Sequence, residues 1–151
     1  LVGEAVNGSG GFAGGPEPGH RAPDVLGLRR FGVQHPLRLF ELTSGTRFTL
    51  LFYVDATVGN EEMFGLEKLA ERVRHQSRGH VNAYLVASPD AGVPDFLDLP
   101  LYRDGEEAFR SAYGVAGAST YLVRPDGHIG FRARPVSSGA LQDHLAIVFA
   151  N

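Results

Sequence analysis

The stretch RFTLLFYV, residues 47–54, restricts the possible folds of this chain more than any other feature. It is rich in aromatic and branched apolar residues, and its last five positions are apolar without interruption. Alternation of polar and apolar residues indicates a strand with one solvated face, whereas a continuous apolar run indicates a strand covered on both faces. The sequence therefore predicts a central strand of a sheet with cover on both sides.

A helix and a second buried strand follow. Residues 61–76, EEMFGLEKLAERVRHQ, place five apolar side chains on one stripe: Met63, Leu66, Leu69, Ala70 and Val73. That spacing predicts an amphipathic helix. Residues 80–87, HVNAYLVA, then have the composition of another buried strand. The three segments predict a βαβ unit.

A further helix is predicted over residues 104–114, DGEEAFRSAYG. Asp104 and Glu107 have the spacing of a capping box at its start. Gly114 suits the left-handed conformation that ends many helices. The segment before it, residues 91–104, is predicted to be a loop because Pro94 and Pro100 interrupt it.

The C-terminal part predicts a hairpin followed by a helix. STYLVR and HIGFRA are joined by Pro125-Asp126-Gly127, which is a strong turn signal. Residues 137–150 predict a helix capped by Ser137 or Ser138.

At the front of the domain, residues 19–28 are expected to be extended and residues 38–42, RLFEL, to form a short strand. The predicted order is then β, β, α, β, α, β, β, α. This is an α/β chain whose order resembles the thioredoxin fold, a βαβ unit plus a β-hairpin and a C-terminal helix, with extra N-terminal strands. The aromatic residues on these segments are expected in the core rather than on a base-stacking surface: Phe40, Phe48, Phe52, Tyr53 and Phe64.

The chain is expected to divide at residue 19. Residues 1–19 are rich in glycine and proline, which predicts a linker or tail from a preceding domain, and residues 20–151 are expected to form one domain. A GxGxxA pattern at residues 8–13 runs into Gly14-Gly15-Pro16 instead of a helix, so it does not predict a dinucleotide site.

Composition excludes several functions. The chain has no cysteine, which excludes disulfides and thiolate catalysis. Its net charge is −3 and its basic residues are dispersed, so no nucleic-acid partner is expected. The longest apolar runs are too short to cross a bilayer, and no membrane partner is expected. Without cysteines or a signal-peptide pattern, a cytoplasmic location is expected.

Compared with thioredoxins, the chain has lost both halves of the redox site. Val58, Gly59, Asn60 and Glu61 fall where Cys-Gly-Pro-Cys would stand, and Ser119 stands where the cis-proline would be. A cis bond before a residue other than proline costs about 2.5–4 kcal/mol, so a trans bond is expected there. We expect the old groove to be remodelled or filled.

Four stretches in order resemble a narrower family: PGHRAPD at 18–24, LFELTSGTRFTLL at 39–51, FRSAYG at 109–114 and LVRPDGHIGFR at 122–132. They look like the C-terminal domain of FAD-dependent aromatic-ring hydroxylases of the phenol and polyketide hydroxylase kind. The resemblance implies a non-redox domain that holds no cofactor and is not catalytic by itself. It implies a parent enzyme that uses FAD and NAD(P)H, preceding FAD and substrate domains as partners, and a homodimer contact. His20 and Arg21, next to the linker, are candidate interdomain contacts.

Other readings of the residues stay open. Asp55, Glu61 and Glu62 could form an acid–base pair or a cation site, or the acids could stabilise a helix N-terminus. The six histidines lack the spacing of a zinc site. The alternative function is a stand-alone cysteine-free binding module that holds a peptide or small ligand in the old redox groove.

Overall fold

The computed structural model describes Phe12 and residues 14–150. Its ten elements are, in chain order, β1 (Leu28–Arg29), α1 (Phe40–Thr43), β2 (Phe48–Val54), α2 (Asn60–Gln76), β3 (Val81–Ala87), β4 (Leu101–Asp104), α3 (Ala108–Tyr113), β5 (Ser119–Val123), β6 (Ile129–Ala133) and α4 (Ser138–Val148). The six strands form one sheet in the order β1-β4-β3-β2-β5-β6. Strand β2 runs parallel to β3, and β3 parallel to β4. The other neighbours are antiparallel.

Strand β2 lies inside the sheet and is covered on both faces, as its sequence predicts. Its even-numbered residues join a core with α2 and α4, which contribute Leu69 and Leu145. Its odd-numbered residues Leu51 and Tyr53 join a second core with α3. The fold is therefore the mixed α/β thioredoxin-like architecture.

Several local predictions are confirmed. Four of the five stripe residues of α2 are buried, and Ala70 packs against the same core. The β5–β6 hairpin turns at Gly127, whose φ is +85°, and Gly114 ends α3 with a φ of +63°. The Ser137 side chain accepts the N–H of Ala140 at the start of α4.

The predicted strand at residues 38–42 is wrong, because this segment enters the short helix α1. Asp24, which is distant in sequence, accepts the N–H of Phe40 at 2.8 Å and satisfies the first turn of the helix. The helical path keeps Leu39 buried but turns Phe40 outward. Phe40 is 61% exposed, so the prediction that it lies in the core is also wrong.

The prediction of a loop over residues 91–104 is wrong at its end, where β4 pairs with β3 and β1. Pro100 directly precedes this strand, a position where its missing N–H interrupts no ladder. Because the strand runs through Asp104, α3 begins only at Ala108. The predicted capping box does not form: Glu107 has a left-handed φ of +55°, and the Asp104 carboxylate accepts the N–H groups of Phe109 and Arg110 at 2.9 Å.

One cis peptide bond occurs in the described part of the chain, between Arg134 and Pro135 just after β6. The bond before Ser119 is trans, as expected. Apart from Phe12, the GxGxxA pattern lies outside the described residues, as do residues 1–11 of the predicted linker.

Candidate functional site: the start of helix α2 and an anchored N-terminal segment

The four residues predicted at the position of the thioredoxin dithiol, residues 58–61, lie around the start of helix α2. Gly59 is its N-cap residue, and Asn60 and Glu61 follow on the exposed first turn. Val58 is buried, with 7% of its surface exposed. Ser119 begins β5 opposite Tyr53 of β2, and its hydroxyl donates to the carbonyl of Ala116 at 3.1 Å. Neither Val58 nor Ser119 is available to an incoming ligand.

Asp55 closes this end of the sheet by joining two loops. One carboxylate oxygen accepts the backbone N–H and the hydroxyl of Thr57 at 3.0 and 2.5 Å. The other accepts the N–H of Gly117, in the loop before Ser119, at 2.7 Å. Burial opposes ionisation of Asp55, but these hydrogen bonds outweigh it and hold the pKa below its usual range. Asp55 therefore acts as an ionised cross-link between the β2–α2 loop and the α3–β5 loop.

The acidic residues at the start of α2 serve the helix itself. Glu62 accepts the N–H of Gly59 at 3.4 Å in a capping-box arrangement, and Glu61 lies in the same turn, where negative charge offsets the helix dipole. Asp55 has its oxygens occupied by donors. No group of three or more acidic or histidine side chains that could hold a metal occurs within residues 14–150 or at Phe12. The geometry favours helix stabilisation over an acid–base pair or a cation site.

The start of helix α2 does not fit the pyrophosphate of FAD. A flavin pyrophosphate binds at a helix N-terminus reached through a glycine-rich loop. The helix that follows the central strand here begins after Asp55-Ala56-Thr57-Val58-Gly59, and Glu61 and Glu62 occupy its first turn. Negative charge at this position repels a phosphate, so no step of flavin chemistry is assigned to these residues.

A stack of aromatic rings runs from Tyr53 on β2 through the second core. Tyr53 stacks on Phe109 with ring centroids 5.9 Å apart, and Phe109 stacks on Tyr113 at 4.4 Å. Tyr113 and Tyr121 meet edge to face at 4.9 Å, and Tyr121 meets Phe12 at 5.3 Å. Burial, followed by the charge of nearby Asp104, raises the pKa of Tyr53 to about 12. The stack is therefore a neutral packing unit that extends from Tyr53 to the N-terminal segment.

Arg132 on β6 fixes the far end of this stack. Its guanidinium lies 4.3 Å from the centre of the Phe12 ring and donates to the carbonyl of Gly14 at 3.0 Å. Arg132 is only 7% exposed. It was not predicted as a functional residue, although an arginine between the apolar residues Phe131 and Ala133 of a buried strand is an unusual signal.

Residues 14–23 are held along their length rather than hanging free. The carbonyl of Pro23 accepts the Tyr113 hydroxyl at 2.6 Å. The N–H of Gly19 donates to Ile129, and that of Ala22 to Gly127, both at 2.8 Å. Gly15 lies so close to Tyr113 that an added Cβ would stand 2.3 Å from the Tyr113 carbonyl oxygen. We call Phe12 and residues 14–23 the anchored segment; its contacts begin upstream of residue 20, where the domain is predicted to start.

His20 and Arg21 lie within this segment with exposed side chains. The carbonyl of His20 accepts the N–H of Ile129 at 2.8 Å. The backbone of Arg21 forms an isolated antiparallel β-bridge with that of His128. Their backbones are thus part of the anchor while their side chains face outward. Their role in interdomain contact stays a prediction.

Comparison with known proteins identifies the family of the chain and agrees with its thioredoxin-like fold. The model of the family described as aromatic-ring hydroxylase, C-terminal, matches residues 15–151. No curated protein matches the sequence. No described helix has both the length and the apolar character needed to cross a membrane.

Solved structures similar to the chain fall into two groups. One is the flavin-dependent monooxygenase PieE, whose crystal structure holds FAD and substrate: 26% identity, a TM-score of 0.61, and coverage of 88% of this chain. This chain spans only 20% of the length of PieE. The other group includes a thiol:disulfide interchange protein DsbE from Chlorobium tepidum, at 14% identity and a TM-score of 0.64, with 89% and 99% of the two chains covered. A thiol-disulfide isomerase domain from Cytophaga hutchinsonii is similar at 15% identity and a TM-score of 0.61. The match covers 89% of this chain and 94% of that domain. The second group shows the fold alone.

Proposed function

This chain belongs to the aromatic-ring hydroxylase C-terminal family, and from that membership we propose that it is a non-redox structural domain of an FAD-dependent aromatic hydroxylase. The observation that carries the proposal is the family match over residues 15–151, which covers nearly all of the described fold. The similarity to one fifth of the length of PieE is consistent with a domain that accompanies larger flavin-bearing parts. The parent would hydroxylate a phenolic or polyketide aromatic with NAD(P)H and O₂.

The domain acts by packing rather than by chemistry of its own. The absence of cysteine removes thiol–disulfide exchange, and the former redox site is closed by Asp55 and Ser119. The anchored segment supports this role because it fixes the residues ahead of β1 to β6 and α3. We propose that its partners are the preceding FAD and substrate domains, and that His20 and Arg21 lie at that contact. A homodimer contact is a second proposed role. The proposed location is the cytoplasm.

Titration of the isolated 151-residue chain with FAD tests the proposal. We expect no saturable change in flavin fluorescence at micromolar protein, no reduction of insulin disulfides and no consumption of peroxide. A flavin-dependent monooxygenase that retains its flavin domain serves as the positive control. Saturable FAD binding by the isolated chain would contradict a purely structural role.

A further inference from the structure

A groove rich in arginine opens at the sheet edge farthest from the anchored segment. It lies between β1, β4 and the loop of residues 93–100, and its volume is about 800 Å³. Small-molecule sites commonly have volumes of roughly 300–1,000 Å³. The anchored segment lies beside β6, at the opposite end of the strand order, and so leaves this groove open.

The charges in the groove are unbalanced. Arg29, Arg30 and Arg103 line it, with Asp95 as the one carboxylate among its described lining residues. None of the three arginines takes part in an ion pair within the described part of the chain. Like charges held close together repel each other, so an anion placed between them is attracted to this surface.

Two of the guanidinium groups are held in place by the protein. Arg103 donates to the carbonyls of Ser88 and Ala91 at 2.9 and 2.6 Å. The guanidinium of Arg30 lies 4.9 Å from the centre of the Tyr102 ring. Its Nη1 atom is buried and has no hydrogen-bond partner among the described residues. The Tyr102 ring and the carbonyls of Ser88 and Ala91 thus hold two of the guanidinium groups that belong to the lining residues of the groove.

The rest of the groove is apolar. Leu97, Leu99 and Val93 line it beside the arginines, and the ring of Phe31 at its rim is fully exposed. Guanidinium groups bind carboxylates in a planar, two-point arrangement, whereas leucine, valine and phenylalanine favour an apolar body. We propose that this groove is a binding site for a small organic carboxylate with an aromatic or aliphatic body. The site is independent of the proposed structural role.

The test uses 2-naphthoate as the probe and the neutral 2-naphthamide as its matched control, with amide chemical shifts of the 151-residue chain as the readout. We expect saturable shifts at residues 29–31 and 93–103 with 2-naphthoate, weaker at higher salt, and none with 2-naphthamide. Arg30→Gln and Arg29→Gln should each weaken binding by about tenfold, as expected for the loss of one charge-assisted hydrogen bond.

Arg72→Gln is the control variant, because Arg72 is exposed on α2, away from the groove, and its loss should leave affinity unchanged. The exposed Arg29 can be replaced without disturbing the core, so loss of binding in Arg29→Gln is not a folding defect. Three results would each overturn the proposal: equal binding of 2-naphthamide, unchanged affinity in both groove variants, or no saturable shift with 2-naphthoate. The last result would instead favour burial of the groove against another protein surface.

Discussion

At the scale of single residues, two buried or half-buried carboxylates respond to the fold in opposite ways. Hydrogen bonds outweigh burial at Asp55 and lower its pKa. At Asp104 burial is the larger effect and raises the pKa, despite the hydrogen bonds from Phe109 and Arg110. By linkage, Asp55 stabilises the fold above its unfolded pKa and loses that contribution as the pH falls. Asp104 contributes in the opposite sense: its contribution to stability is lost as the pH rises through its raised pKa.

Replacing Asp55 by asparagine should weaken the cross-link between the two loops. An amide offers one acceptor oxygen, so either Gly117 or Thr57 faces an N–H₂ group, and the free energy of unfolding should fall by about 1–2 kcal/mol at pH 7. Chemical denaturation measures this loss. Because the folded pKa lies below 3.8, the difference from the wild type should persist at pH 5 and shrink as the pH falls through the folded pKa. Asp143→Asn, on the exposed face of α4, is the control; an equal loss there would refute the cross-link.

Alanine substitutions at Gly14 and Gly15 distinguish the effect of close packing in the anchored segment from the effect of backbone conformation. Both have a positive φ, of +78° and +86°, but an added Cβ meets nothing within 4 Å at Gly14 and the Tyr113 carbonyl at Gly15. Gly15→Ala should detach the segment, and Gly14→Ala should incur only the backbone strain of about 1–2 kcal/mol. Hydrogen exchange at the amides of Gly19 and Ala22 reports detachment. Equal protection in the two variants would argue against close packing at Gly15.

At the scale of elements, the sequence predicts the helices, strands and turns that are specified by residues close together in the chain. The continuous apolar run of β2, the stripe of α2 and the Pro-Asp-Gly turn each specify their element through neighbouring residues. Helix α1 and strand β4 depend on partners far along the chain. Asp24 caps the turn at Phe40, and β3 supplies the ladder for β4. Neither contact leaves a trace in the local pattern.

Asp104 joins two elements, β4 and α3, and its removal should affect the helix first. Asp104→Ala leaves the N–H groups of Phe109 and Arg110 without their acceptor. We expect a loss of about 1–3 kcal/mol in the free energy of unfolding, with faster hydrogen exchange over residues 108–113. Glu107→Gln is the matched control, because Glu107 forms only an exposed ion pair with Arg110, and such pairs contribute roughly 0–1 kcal/mol. A larger loss in the control would show that the capping acid is Glu107.

At the scale of the whole molecule, the strand–loop–helix order predicts where residues 58–61 and Ser119 lie in the fold, and their correspondence to a thioredoxin redox site stays a prediction. The sequence pattern did not predict the aromatic stack or the anchored segment, because Phe12 and Arg132 are 120 residues apart in the chain and meet only in the folded protein. In this thioredoxin-like fold, Val58 and Ser119 are both buried near the carboxyl end of β2.

We propose that this domain supports flavin-bearing parts of the same polypeptide by packing on them. The most direct test compares the full-length protein with a variant that keeps the anchored segment and lacks residues 24–151. Flavin content and melting temperature are measured for both proteins. We predict that deletion lowers both, and that adding the separate 151-residue chain restores part of the lost stability. Unchanged flavin content and an unchanged melting temperature after deletion would contradict the claim.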